Sequence, residues 1–390
     1  VSTIHPAEER SARRVLSGPL LEGLRSRAGQ HDAENTFAHQ DFEALAGAGY
    51  LKAMLPADQG GSGWGFAETT AAQRLLAAHA PGTALAVNMH LVWAGAARVL
   101  QAKGDTRLRF VADWIAGGEV MAFGISEPGN DAVLFDSVTR AEHTSDGVAF
   151  TGRKIFTSLA PVFTRLGVFG KDDAGELIHG FVDRQDPGVR VNDDWDTLGM
   201  RASQSHSTDL DGAVSPHAWV HTRLPTGPQD DPLIFAIFAS FLTLTASVYA
   251  GIADRAVELA AAHPANRVSL VSGQSRDQDP DVRWRVAQAG MEILSLDGFL
   301  TQTARDIDAR VDHAHAWFPR LVTLRTRAGE VARSTVDAAL NVAGGGQYFR
   351  GSELERLYRD ALASLYHPSD AASAHRTVAA WLLGPLETPS

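Results

Sequence analysis

Apolar positions along the chain recur at two different spacings, and the switches between them divide the sequence into three stretches. From the N-terminus to about Gly118 the spacing is helical. Val15, Leu16, Leu20, Leu21 and Leu24 fall on one face of a 3.6-residue period, and Phe42, Leu45 and Ala46 continue the pattern after Asp32 and Asn35. Residues 52–63 form a glycine-rich turn. Two further helices are predicted over 66–79 and 83–103, with Pro81 and Gly82 breaking the pattern between them.

From about 120 to 220 the texture changes to short β-favouring runs: 120–126, 148–157, 166–170, 178–183 and 213–220. Asp146-Gly147 and the segment from Asp172 to Gly175 fall between runs, where hairpin turns belong. A compact antiparallel β-domain is the reading. Beyond about Pro232 long helical patterns return, broken near Pro264, at Asp279-Pro280, at Trp317-Phe-Pro319 and at Gly344-Gly-Gly346. Successive long helices of this kind predict a bundle. The fold class is therefore mainly α with a central β-domain. Residues 1–118 are an N-terminal helical domain, 119–228 a middle antiparallel β-domain and 229–390 a C-terminal four-helix bundle.

Composition narrows the chemistry. The 46 acidic residues outnumber 35 basic ones for a net charge of -11, which disfavours non-specific binding to nucleic acid or anionic membranes. There is no cysteine, so a disulfide framework, a thiol nucleophile and a thiolate metal site are excluded; a reducing cytoplasm is the expected setting. No stretch is read as a bilayer-spanning run of about 20 apolar residues. The longest apolar run, 233–249, carries Ser and Thr and leads into Asp254, Arg255 and Glu258, so a buried core helix is predicted there. His313 and His315 stand two apart, which on a helix points them away from one another. No zinc-protease, Walker or Gly-x-Ser-x-Gly pattern occurs, and no metal site is predicted.

Five local sequences carry a more specific signal. They are Leu55-Pro-Ala-Asp-Gln-Gly-Gly-Ser-Gly, Phe123-Gly-Ile-Ser-Glu-Pro-Gly-Asn-Asp, Thr151-Gly-Arg-Lys-Ile-Phe-Thr-Ser, Asp196-Thr-Leu-Gly-Met-Arg-Ala-Ser, and the long segment from Gly344 through Glu353-Leu-Glu-Arg-Leu-Tyr-Arg-Asp360. In this order, and over nearly the whole chain, they resemble the motifs of the acyl-CoA dehydrogenase superfamily.

That resemblance implies a flavin cofactor, FAD with FMN as the alternative, and a homo-oligomer, either a dimer or a tetramer. It maps flavin contacts onto Phe123, Ile125 and Ser126, an aromatic neighbour of the ring onto Phe156, and a hydroxyl near N5 onto Ser158. A hydroxyl suits that place because it can both donate and accept a hydrogen bond. Arg267, Asn341, Gly344 and Gly345 map to the phosphate and adenosine side of a flavin held by a neighbouring copy.

The resemblance also departs from the usual pattern. An acyl-CoA dehydrogenase needs a carboxylate to take the substrate α-proton. Here His367 or Pro368 stands where that glutamate is expected, and the alternative position on the first bundle helix falls near Phe241 and Leu242. The segment at Glu127 is two residues shorter than the family's TEPGAGSD. Three functions stay open: dehydrogenation of an acyl-CoA, oxygen insertion by a flavin monooxygenase of the same fold served by a flavin reductase, and a non-catalytic flavin or acyl-carrier binding protein. His367 is the candidate base or hydrogen-bond donor, since an imidazole can do either near neutral pH. His90 and Asn130 are further candidate pocket residues, with a packed, hydrogen-bonded core histidine as the competing reading of His90.

Overall fold

The structure, a computed structural model, describes residues 3–264 and 267–386. The chain begins with α1 (Pro6–Val15), α2 (Gly18–Glu34), α3 (His39–Gly47), α4 (Phe66–Ala77), α5 (Pro81–Ala102) and α6 (Arg109–Ala116). Their boundaries follow local chemistry. Ser17 caps α2 by accepting from the Leu20 amide, and Asn35 closes it in the left-handed region at φ 52°. The break between α4 and α5 falls where expected, but Pro81 does not stand outside the helices; it opens α5. A first-turn residue has no intrahelical use for an N–H, so proline is tolerated there.

The strands β1 (Met121–Gly124), β2 (Arg140–His143), β3 (Gly147–Lys154), β4 (Arg165–Lys171), β5 (Glu176–Asp183), β6 (Val189–Val191), β7 (Thr208–Pro216) and β8 (Thr222–Pro225) form one sheet, ordered β6-β7-β3-β2-β4-β5-β8 with β1 beside β4. Hairpins join β2 to β3 and β4 to β5 across the two predicted turns. The sheet is not wholly antiparallel, because β1 and β2 both run parallel to β4. Three strands escaped the pattern: β2, β6 and β8 span four residues or fewer, and β2 exposes three of its four.

The C-terminal part comprises α7 (Pro232–Ala262), α8 (Pro280–Asp308), α9 (Trp317–Ala343), α10 (Glu353–Leu362) and α11 (Ala371–Leu383). Helix α7 is the hub, packing against α4, α5, α8, α9 and α10. It carries no charged residue from Pro232 to Ala253, a longer apolar run than the sequence reading allowed. By length and composition α5 and α7 could each cross a membrane, but 94% and 89% of their most apolar windows are buried inside the fold. Surrounded helices are apolar on all faces for this reason. The hydroxyls of Ser240 and Ser247 donate to carbonyls four residues back, so their burial leaves no unmet donor.

One joint fixes the sheet against the helices. Trp93 of α5 lies 4.6 Å from Phe123 and from Phe181, ring centre to ring centre, and its indole N–H donates to the Ala122 carbonyl at 3.0 Å. A Cβ on Gly167 would stand 2.1 Å from the indole, so only glycine lets the ring lie flat on β4. This contact sets the position of β1, which leads into the site.

Candidate active site

The end of β1, the turn after β3, the loop before β7, the first turns of α7 and the segment after α10 line a cleft of about 270 Å³. Its walls are largely apolar, with Leu85, Met89, Leu134, Ile237 and Phe241 among them, and no Asp or Glu lines it among the described residues. Phe123, Ile125, Ser126, Phe156, Ser158 and His367 all face it, although His367 lies about two hundred residues further along the chain.

Phe156 and Ser158 are presented by a constrained turn. Phe156 takes φ 59° and Leu159 φ 65°, unusual for non-glycine residues, and the Ser158 amide donates back to the Phe156 carbonyl at 3.0 Å. The Phe156 ring, 49% exposed, meets Trp195 edge-on at 6.0 Å and gives the cleft an aromatic wall. The loop of Trp195 is held by His206, whose Nδ1 accepts from the amides of Asp194 and Trp195 at 3.0 and 3.1 Å. Ser158 belongs to a chain of three hydroxyls: its Oγ is 2.8 Å from that of Ser205, which is 2.9 Å from that of Ser203. Three hydroxyl protons serve two bonds. Turning the chain therefore makes Ser158 either a donor or an acceptor toward the cleft.

His367 sits opposite in a different setting. Burial of Tyr249 holds its phenol protonated, and its O–H donates to His367 Nδ1 at 2.5 Å; the His367 carbonyl accepts from Arg325 at 2.8 Å. Burial, reinforced by the Arg325 charge, lowers the imidazole pKa to about 3. The ring is neutral, and with Nδ1 accepting, its proton stands on Nε2, which makes no hydrogen bond among the described residues.

A buried ion pair flanks the bridge between Ser126 and Ile155. Lys154 donates to Glu127 at 2.6 Å and to the Phe169 carbonyl at 2.8 Å, with its ammonium 4.4 Å from the Phe169 ring centre. Glu127 also accepts from Ser137, Val138 and Thr139. These partners, the Lys154 charge foremost, outweigh burial and hold the carboxylate at about 2. Asn130 joins this network instead of the cleft: its amide donates to Glu127 and to the Asp136 carbonyl, both at 2.8 Å.

His90 likewise corrects an expectation. It is fully buried away from the cleft, bonded to the Leu51 carbonyl at 2.9 Å through Nε2 and accepting from the Met121 amide at 3.1 Å through Nδ1. Burial lowers its pKa to about 4. With both ring nitrogens engaged by backbone, it pins α5 to β1 and has no nitrogen left for a substrate. Arg267, Asn341, Gly344 and Gly345 do not line the cleft either. They gather at the end of α9, where Arg267 lies over Gly344: a Cβ there would be 3.1 Å from Nη1. Asn341 donates to the Asp337 carbonyl one turn back.

Sequence reasoning missed Trp195, Ser205, Tyr249, Arg325 and the Glu127–Lys154 pair. A lysine inside a β-favouring run was a usable signal for the pair, since a buried ammonium demands a partner. Tyr249 gave none, being one more large residue in an apolar helix.

Comparisons with known proteins agree with this geometry. Residues 6–114 match the acyl-CoA dehydrogenase N-terminal domain, and residues 243–369 match the acyl-CoA dehydrogenase C-terminal domain. The chain belongs to the acyl-CoA dehydrogenase superfamily. Like its superfamily, it is a flavin-dependent oxidoreductase. It is 28% identical to L-evernosamine nitrososynthase from Micromonospora over 90% of this chain and 84% of that protein. Dibenzothiophene monooxygenase from Rhodococcus erythropolis is 26% identical over 84% of this chain and 81% of its own length. The X-ray structure of KijD3 in complex with FMN and a dTDP-linked 3-amino-4-keto sugar superposes with a TM-score of 0.86 at 26% identity, covering 100% of this chain and 97% of that one.

The residues present fit a flavin of this superfamily. The cleft has the volume and apolar walls for a tricyclic ring, an aromatic face in Phe156 and Trp195, and a hydroxyl chain that can face either redox state.

Proposed function

We propose that this chain is a flavin-dependent monooxygenase that oxygenates a small substrate with reduced flavin delivered by a separate reductase. The bound flavin would supply two electrons; one atom of O2 goes to the substrate and the other, with two protons, leaves as water. One observation carries the reading. The usual catalytic glutamate is missing from its place at His367 or Pro368, the imidazole there has a pKa of about 3, and no carboxylate lines the cleft among the described residues. A base that weak does not hold an α-proton near neutral pH, because proton transfer is efficient only when acid and base are matched.

The chain's own residues fit oxygen chemistry. Phe156 and Trp195 would hold the ring, and Ser158 would meet its edge as donor or acceptor. The apolar walls would limit water beside a bound flavin. His367, oriented by Tyr249, offers Nε2–H as a fixed hydrogen-bond donor. Arg267 and the Gly344-Gly345 turn would meet the flavin of a neighbouring copy, since they stand together outside this cleft.

The test starts from purified protein reconstituted with FMN or FAD. Anaerobic titration with a panel of acyl-CoAs should leave the flavin spectrum oxidised. With NADH, a flavin reductase and air, one of an aromatic thioether, an indole or an amino-sugar nucleotide should be oxygenated with matching oxygen uptake. Bleaching by an acyl-CoA would reject the proposal in favour of dehydrogenation. Tight flavin binding with neither reaction would leave a binding protein.

A further inference from the structure

Beside the cleft, α10 and the turn before it frame a second groove of about 420 Å³, whose charged lining is Arg201, Arg350, Arg356 and Arg359 with Asp32 and Glu355. Arg359 lines both spaces. Two of the four arginines are committed within the fold. Arg359 forks onto Asp32 and Glu355, and Arg201 donates to the carbonyls of Asp32 and Thr197 and to Asp196. The other two are not. Neither guanidinium makes a hydrogen bond or a close ion pair among the described residues. Arg350 is exposed, but Arg356 is only 8% exposed and its Nε is buried without a partner.

A buried guanidinium left unpaired is unfavourable, so its retention points to a missing anion. The Arg356 charge favours the ionised forms of Glu353 and Asp360, but neither carboxylate bonds it, because both are engaged elsewhere. Glu353 is bonded to Arg255, Glu355 to Arg359, and Asp360 to the Met200 amide. The backbone makes room for Arg356: a Cβ on Gly29 would stand 3.0 Å from its Nη1. Ser352, the N-cap of the ten-residue α10, also lines the groove, so the first amides of that helix stand beside it, and the first-turn carboxylates Glu353 and Glu355 are held by Arg255 and Arg359.

We propose that this groove is a phosphate-binding site, taking the phosphomonoester or diphosphate group of a ligand. Two uncommitted guanidinium forks and a helix N-terminus match a dianion with several acceptor oxygens, and two fixed charges neutralise phosphate near neutral pH. The site does not depend on the oxygenase reading. Because Arg359 is shared with the cleft, the phosphate has two possible sources: the flavin itself, or a second ligand bound alongside.

Calorimetric titration of the full chain with pyrophosphate and with inorganic phosphate, at constant ionic strength, tests it without any catalytic readout. Saturable binding is expected, weakened by about tenfold or more in Arg350→Gln, the loss expected for one charge-assisted contact. Arg356→Gln should behave alike, with partial recovery in Arg356→Lys; Arg350→Gln keeps the test valid if the buried variant fails to fold. If neither anion binds at millimolar concentration, or if Arg350→Gln binds as tightly as the parent, the site is refuted. The ratio of FMN to riboflavin affinity then separates the sources. It falls in Arg350→Gln if the phosphate is the flavin's. It stays constant, with pyrophosphate and FMN bound together, if the phosphate belongs to another ligand.

Discussion

His367 shows how far an environment can move one side chain from its usual chemistry. Free imidazole titrates near neutrality, yet here burial and the Arg325 charge keep it neutral down to a pKa of about 3. Tyr249 is the positioning residue, because its phenol fixes which nitrogen carries the proton. Replacing it with Phe removes one hydrogen bond of about 1 kcal/mol and frees the ring to turn. The expected outcome for Tyr249→Phe is a kcat lowered about fivefold with KM little changed. The acid limb of the pH profile should move to higher pH, since the neutral ring loses a donor. An unchanged profile would show that the phenol serves only to fill space. Ser158 acts through its neighbours in the same way, its donor or acceptor role being set by Ser205 and Ser203.

Among the elements, the cleft depends on helices meeting at close range. The α4–α7 contact is the tightest: a Cβ on Gly251 would lie 2.2 Å from the Arg74 carbonyl, and Arg74 is itself held in α4 by Asp254 of α7 at 2.8 Å. Gly251→Ala must therefore push the two helices apart. Overpacking of this kind costs about 1–3 kcal/mol, so the urea midpoint should drop while the slope of the transition stays the same. A midpoint equal to that of the parent would mean that the helices part without strain. Helix existence was legible in the sequence because 3.6-residue periodicity is a local property, and Asp146-Gly147 and Asp172 to Gly175 marked hairpins as turn chemistry predicts. The short strands β2, β6 and β8 were not legible, because so few residues carry too little alternation to register.

At the scale of the whole molecule, buried histidines couple the fold to pH. Burial depresses His90 to about 4 and His179 and His367 to about 3, and takes His221 well below its ordinary value. Unfolded, each binds a proton below about 6.5. Their contribution is intact above that pH and is lost progressively as pH falls toward their folded values. Asp360 works in the opposite sense: burial raises it to about 6, so the folded chain holds a proton that the unfolded chain releases above about 4. The histidines outnumber it. His79 and His206 are lowered too, while Asp41, Asp254 and Asp308 are raised like Asp360, so unfolding between pH 4 and 6 should take up protons on balance and stability should fall as pH drops. Denaturation at pH 5, 6 and 7 checks this, and a flat profile would show that these histidines are charged or hydrated in the fold. The sequence by itself determined the order of helical and β regions and the superfamily likeness, because periodicity and contiguous motifs are written along the chain. Five of the expected cleft residues, Phe123 to Ser158, lie within two such motifs, so the likeness sufficed to bring them forward. Only the tertiary structure decided that His90 and Asn130 are structural, that Tyr249 orients His367, and that Arg350 and Arg356 stand uncommitted. Those outcomes rest on burial and on partners distant in the chain, Leu51 with His90 or Tyr249 with His367, and no local pattern records which distant group a side chain will meet.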